Sequence, residues 1–120
     1  MQPNGIIGDP KTGFLYVADI GDKKTYRYTM GDDGKLTDRR LLIGMGSDGM
    51  TLDAAGNLYL TGKGVTVVDP EGNKIEHIPV PEGWTANVCF AGRENKTLFI
   101  TAMDSAYTLA MKVEGLPWPK

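Results

Sequence analysis

The sequence lacks the features that define membrane, nucleic-acid-binding and disulfide-stabilised proteins. Its single cysteine, Cys89, allows no disulfide within the chain, which favours the cytoplasm and leaves the periplasm and secretion open. The longest apolar run, residues 41–43, is far shorter than a membrane span, and residues 1–20 do not resemble a signal peptide. With 13 basic and 15 acidic residues, the net charge is −2. Neither nucleic acid nor a membrane is therefore expected as a partner.

Long helices are also excluded, because glycine and proline interrupt the chain every few residues. The 16 glycines and seven prolines are spread evenly along the sequence. Hydrophobic residues make up 41% of the chain and charged residues 23%, as in an ordinary globular protein. The sequence therefore predicts an all-β fold of short strands and tight turns, in a single domain over residues 1–120.

A repeat of about 40 residues organises these strands. Each copy contains a first strand, a turn, and a second strand with a leucine followed by an aromatic and an aliphatic residue. Leu15, Leu58 and Leu98 align these copies and lie 43 and 40 residues apart. That spacing is typical of a four-stranded antiparallel blade of a β-propeller. The second strands are predicted near residues 14–18, 58–61 and 97–102, and the third strands near 25–29, 65–68 and 107–111.

The repeat predicts three blades, over residues 3–46, 47–83 and 84–117. Polar outer strands are expected at 38–43 and 74–80. The third blade is expected to lack its outer strand, because a glycine and two prolines follow soon after Met111. Each blade buries its faces only against its neighbours, so an arc of three blades leaves two end faces bare.

Three polar residues fall at, or within one residue of, the same position of the repeat, at the start of the first strands. They are Asn4, Asp48 and Asn87. In a propeller this position points toward the central channel, and their side-chain oxygens are ligands that suit calcium or magnesium. The alternative is that they only satisfy the backbone of nearby turns.

Other reactive side chains have simpler interpretations. His77 falls in an outer strand and is expected to be a solvated rim residue. Cys89 is expected to pack in the core beside Phe90 rather than act as a nucleophile. Trp84 and Trp118 are candidates either for the wall of a pocket or for the core.

The motifs together resemble a known family. In order, they are Pro-Asn-Gly-Ile at 3–6, Leu-Tyr-Val-Ala-Asp at 15–19, Ser-Asp-Gly-Met at 47–50, Asp-Ala-Ala-Gly-Asn-Leu-Tyr at 53–59, Asn-Val-Cys-Phe at 87–90 and Leu-Phe-Ile-Thr-Ala at 98–102. Over residues 3–117 the chain is similar to the C-terminal half of the gluconolactonase / senescence-marker-protein (regucalcin) family, also called luciferin-regenerating-enzyme-like.

The resemblance implies half of a six-bladed propeller that holds one divalent metal in its channel. Calcium is the metal expected first, with magnesium, zinc and manganese as alternatives. The family pattern assigns Asn4 and Asp48 as metal ligands and Asp48 also as the general base. Asn87 is a candidate ligand by its repeat position alone. The implied function is metal-dependent hydrolysis of a sugar lactone.

The sequence departs from the family because it lacks the N-terminal half. The family's glutamate ligand, a further asparagine and a substrate-binding arginine lie in that half. Whether the chain alone is an enzyme is therefore open, and activity is expected only from a complete ring. A homodimer or a separate partner chain would complete it, with a lactone or sugar-like molecule as the ligand. The alternatives are a metal- or sugar-binding module, and a non-catalytic or engineered half-propeller that self-assembles.

Overall fold

The computed structural model describes residues 1–117, which form β-strands and connecting turns without a helix. The strands are arranged in three antiparallel sheets. The first sheet has the order β1-β2-β3-β4, the second β5-β6-β7-β8 and the third β11-β10-β9. The strands are β1 Pro3–Asp9, β2 Phe14–Asp19, β3 Lys24–Met30, β4 Leu36–Ile43, β5 Met50–Leu52, β6 Leu58–Gly62, β7 Gly64–Val68, β8 Lys74–Ile78, β9 Asn87–Ala91, β10 Thr97–Ala102 and β11 Ser105–Ala110.

The all-β fold expected from the glycine and proline content is confirmed, and the repeat is visible in the strand register. Leu15 pairs with Gly8, Leu58 with Leu52 and Leu98 with Phe90, so each aligned leucine lies opposite the corresponding part of its first strand. The three sheets lie within the predicted blade ranges 3–46, 47–83 and 84–117, whose boundaries stay predictions.

The middle sheet is buried on both faces because its side chains alternate between two hydrophobic clusters. Leu58 and Leu60 pack toward the first sheet, in a cluster that also contains Tyr16 and Ala18. Tyr59 packs in the cluster shared with the third sheet and meets Phe90 edge to face, with the ring centroids 5.2 Å apart. Leu58, Tyr59 and Leu60 are each at most 2% exposed, which explains why these three successive residues of β6 are all large and hydrophobic.

The two outer sheets each bury one face only. Tyr16 and Ala18 of β2 pack against the middle sheet, whereas Ile6 is 61% exposed and Leu41 is 56% exposed. On the third sheet Phe99 is 40% exposed. Within residues 1–117, β6 is therefore buried on both sides, whereas β2 and β10 each bury one side against the middle sheet.

The third sheet has three strands, as the sequence predicted. After β11 the chain turns back to the middle sheet, where Gly115 bridges to Asp53 and the Leu116 N–H donates to the Leu52 carbonyl at 3.0 Å. Leu116 is buried in the first hydrophobic cluster. Trp118 lies outside the described residues. Within residues 1–117 no helix is long and apolar enough to cross a membrane.

Candidate functional site

The three first strands, β1, β5 and β9, surround a cavity of about 440 Å³. Asn4 at the start of β1, Asp48 just before β5 and Asn87 at the start of β9 all line it. The structure thus brings the three candidate residues of the sequence to one place. Asp48 is the single acidic residue in the wall of this cavity, within the part of the chain that the structure describes.

Two side chains donate hydrogen bonds to the Asp48 carboxylate. The amide Nδ2 of Asn4 donates to Oδ1 at 3.2 Å, and the indole Nε1 of Trp84 donates to Oδ2 at 2.5 Å. Each carboxylate oxygen therefore has one neutral donor, and Asp48 itself is half-buried. Hydrogen bonds to a charged acceptor are stronger than those between neutral groups, so these contacts fix the orientation of the carboxylate.

A network of buried hydroxyl groups holds the backbone on both sides of Asp48. The Ser47 hydroxyl donates to the Gly49 carbonyl at 2.5 Å and accepts from the Thr61 N–H at 2.7 Å. The Gly49 N–H donates to Thr61 Oγ1 at 3.1 Å. Ser47 and Thr61 are both at most 2% exposed, so the segment that carries Asp48 is tied to the end of β6 away from water.

The Asn87 side chain lies against Gly49 and forms no hydrogen bond with Asp48 within residues 1–117. Its Oδ1 accepts from the Val88 N–H at 2.8 Å. A Cβ at position 49 would collide with the Asn87 side chain and come within 3.0 Å of its Cα, so only glycine fits there. Asn87 therefore shares the cavity, with its oxygen engaged by its own strand.

The start of β1 is anchored by Asp19 at the end of β2. Its Oδ1 accepts from the Gln2 N–H at 2.7 Å and the Asp22 N–H at 3.0 Å. These backbone donors, that of Asp22 first, lower the pKa of the Asp19 carboxyl below its ordinary value. Close by, a Cβ on Gly5 would lie 3.0 Å from the Asp48 carbonyl oxygen, so glycine permits β1 to approach the middle sheet. Both features position Asn4.

Trp84, Ser47 and Thr61 are parts of the site that the sequence did not identify as such. The sequence does not decide between a pocket wall and the core for Trp84, and the structure shows it 45% exposed and hydrogen-bonded to Asp48. A serine directly before Asp48 was the available signal for the hydroxyl network. The expectation that Cys89 packs in the core is wrong, because Cys89 is exposed and lines the cavity. His77 is an exposed rim residue of β8, as expected.

The chemistry of the cavity suits a hard cation better than a soft one. The residues of its wall with side-chain oxygens are Asn4, Asp48, Thr51, Asn87 and Asn95, beside the single thiol of Cys89. Residues 1–117 contain no group of three or more His, Cys, Asp or Glu that could hold a metal. The Asn4 Oδ1 atom has no hydrogen bond within these residues, so it is free to bind a cation while Nδ2 donates to Asp48. Amide and carboxylate oxygens are ligands that calcium and magnesium prefer. The residues present therefore fit part of the ligand shell of such an ion.

Taken with the cavity, the three sheets define an all-β protein of propeller-like architecture with a polar site where the first strands meet. The chain belongs to the SMP-30/Gluconolactonase/LRE-like family, whose model matches residues 1–104.

Similar proteins include enzymes named for sugar lactones. The chain is 32% identical to the 6-deoxy-6-sulfogluconolactonase of Pseudomonas putida over 111 residues, covering 85% of this chain and 38% of that protein. A solved gluconolactonase structure from Xanthomonas campestris is 33% identical and matches with a TM-score of 0.81, over 90% of this chain and 37% of that one. A calcium-binding protein, regucalcin, from Agrobacterium tumefaciens has the same fold, with a TM-score of 0.83 at 23% identity, over 95% of this chain and 47% of that one. The chain thus spans less than half the length of each.

Proposed function

We propose that this chain supplies part of the active site of a metal-dependent sugar lactone hydrolase, with Asp48 as the general base. The observation that supports this most directly is the convergence of Asn4, Asp48 and Asn87 on one cavity. The family supports it independently, since its members include relatives named for gluconolactone and for 6-deoxy-6-sulfogluconolactone. A lactone of a sugar acid is therefore the proposed class of substrate.

The metal ligands in this proposal are Asn4 and Asp48, with Asn87 as a third candidate. Calcium is proposed first, because the ligands are uncharged amides and one carboxylate. When bound, such a cation polarises the ester carbonyl and stabilises negative charge on its oxygen. Other residues that the cation needs are proposed to come from outside this chain.

Asp48 is proposed to accept a proton from a water molecule that attacks the lactone carbonyl carbon. The ring C–O bond then breaks and the ring oxygen takes up a proton, so one lactone and one water give one open-chain hydroxy acid. The two donors, Asn4 Nδ2 and Trp84 Nε1, hold the carboxylate in place for this transfer. Both donors are neutral, so neither forms an ion pair with the carboxylate.

The decisive experiment is hydrolysis of glucono-δ-lactone, followed as acid release, with Asp48→Asn compared with the wild type. Loss of a general base lowers the rate roughly 10²- to 10⁴-fold. Asp32→Asn, in the exposed β3–β4 turn, is the matched control and should retain full activity. A chelator should abolish the activity and added calcium should restore it. Equal rates in Asp48→Asn and the wild type would contradict the proposal.

A second candidate function is cation or sugar binding without turnover. It is favoured by the presence of a single acidic residue in the cavity, which would have to serve as both ligand and base. Calcium titration separates the two candidates. Calcium binding that depends on Asp48, without any lactone hydrolysis at saturating calcium, would support the binding module.

Assembly is the last part of the proposal. For the 120-residue chain, we propose that a second copy covers the bare end faces and closes a ring of six blades around one channel. A separate partner chain is the alternative. Closure would place two copies of Asn4 and Asp48 around the same axis, which increases the number of oxygen ligands for the cation.

A further inference from the structure

A second cavity, of about 380 Å³, opens between the first and middle sheets. The turn after β2, the loop after β4 and the turn after β6 enclose it, with Trp84 from the loop between β8 and β9. All of its walls belong to this chain. The cavity therefore does not depend on what covers the bare end faces of the outer sheets.

The charged residues in its wall are all cations. Lys23, Lys63 and Lys74 line it, and no acidic residue does. The ion pairs within residues 1–117 are Met1 with Asp22 and Arg40 with Asp38, so none of the three lysines is neutralised by a salt bridge there. Three unpaired ammonium groups around one cavity produce a positive potential that attracts an anion.

The rest of the wall is mostly apolar. Ile20 and Met45 contribute to it, and the Trp84 indole covers Gly62, where a Cβ would lie 4.0 Å from the ring and 3.8 Å from the Met45 methyl group. A free inorganic ion needs polar groups on all sides, whereas a small organic molecule with one anionic group matches a wall of this mixed kind.

Trp84 connects this cavity to the proposed site. Its ring lines the second cavity while its Nε1 donates to Asp48 Oδ2, and Ser47, the neighbour of Asp48, lines the second cavity as well. The two cavities are therefore neighbours, linked through Trp84 and the Ser47–Asp48 segment.

We infer that this lysine-lined cavity is a second substrate subsite, which holds an anionic substituent of the sugar lactone, such as a phosphate, sulfonate or carboxylate. The inference rests on the proposed function for the identity of the substrate. Binding of the anionic group itself does not require turnover, so the two can be tested separately.

The test uses glucose 6-phosphate, glucose and inorganic phosphate as non-hydrolysable probes, with binding to the full chain followed by calorimetry. Glucose 6-phosphate should bind at least about 10-fold more tightly than either other probe, and added salt should weaken it. The double variant Lys63→Gln, Lys74→Gln should remove that preference. The matched control is Lys35→Gln, Lys96→Gln, which makes the same charge change in exposed turns outside the wall of this cavity and should keep the preference.

Three results would overturn the inference: equal binding of glucose and glucose 6-phosphate, equal binding of inorganic phosphate and glucose 6-phosphate, or the same loss in the control variant. Lactone hydrolysis distinguishes this failure from failure of the proposed function. If the chain hydrolyses glucono-δ-lactone and its 6-phosphate at equal rates, the proposed function stands and only the anion subsite is contradicted. If glucose 6-phosphate binding depends on the two lysines but no lactone is hydrolysed, the proposed function is contradicted and the anion site is supported.

Discussion

At the scale of single residues, the site depends on how one carboxylate is held. Asp48 receives its two hydrogen bonds from opposite sides, from Asn4 of the first sheet and from Trp84 of the loop that leads to the third. The residue thus joins all three sheets where they meet. A change that removes one donor should leave the carboxylate free to rotate, and the affinity for the proposed cation should fall because the oxygens are no longer preorganised.

Trp84→Phe tests the contribution of the indole donor, because phenylalanine keeps an aromatic ring but lacks the N–H. A hydrogen bond to a charged group contributes about 1.5–3 kcal/mol when buried, and Trp84 is 45% exposed, so we expect a loss nearer 1 kcal/mol. Calcium affinity measured by calorimetry should fall about 5-fold. In an Asp48→Asn background the same substitution should have no further effect. Equal losses in both backgrounds would show that Trp84 acts independently of Asp48.

Asp19 predicts a dependence of stability on acid pH. Its carboxyl has a lowered pKa in the folded protein and an ordinary value of about 3.9 when unfolded. Its contribution to stability is therefore fully present above about pH 4 and is lost as the pH falls through the folded pKa. The free energy of unfolding in urea should exceed that of Asp19→Asn at pH 6, and the difference should shrink toward pH 2.5. A difference that stays constant over this range would refute the assignment.

At the scale of the strands, stability is concentrated in the middle sheet. Leu60 of β6 is fully buried, whereas Leu36 at the start of β4 is 45% exposed. Leu60→Ala should lower the free energy of unfolding by about 2–5 kcal/mol, because it removes buried methyl groups and leaves a cavity. Leu36→Ala makes the same chemical change and should cost about 1 kcal/mol or less. Urea unfolding of both variants checks this, and similar losses would contradict the concentration of stability in the middle sheet.

The strands were predictable from the sequence because each repeat carries its own local signals. The aligned leucines and the following aromatic residues alternate between the two faces of each blade, and the turns contain the glycines and prolines that end strands. The positions of Asn4, Asp48 and Asn87 followed from the same repeat. Their convergence on one cavity was therefore available without coordinates.

The rest of the site was not predictable, because it depends on contacts that no repeat encodes. Trp84 lies in the loop between the second and third sheets, and its contact with Asp48 spans 36 residues. Cys89 was misplaced for a related reason. Its strand has one face buried and one face bare, and only the arrangement of the sheets shows which face carries the thiol. The return of Leu116 to the middle sheet was also not predictable, because it depends on a contact between distant parts of the chain.

At the scale of the whole molecule, the two end faces are unequal. On the first sheet Ile6, Val17, Tyr26 and Leu41 form one row of cross-strand neighbours that faces away from the middle sheet. On the third sheet the equivalent row contains Cys89, Phe99 and Thr108, which is shorter and less apolar. A larger apolar face and a smaller one suit a contact in which the first sheet of one copy meets the third sheet of another.

Closure by a second copy is therefore the prediction for the 120-residue chain. The first sheet of each copy would pack on the third sheet of the other, twice over, around the two-fold axis that most soluble homodimers use. Burial of the apolar row on each side supplies the driving force, against the entropy lost on association. Light scattering at high micromolar concentration should give twice the 13.0 kDa mass of the chain.

Leu41→Lys, at a position that is 56% exposed and should tolerate the change, should shift the chain toward the monomer and weaken calcium binding in parallel. Lys35→Glu, a charge change of similar size in the β3–β4 turn, should leave the dimer intact. A monomeric wild-type chain at that concentration would rule out the homodimer and favour a separate partner chain for the bare faces.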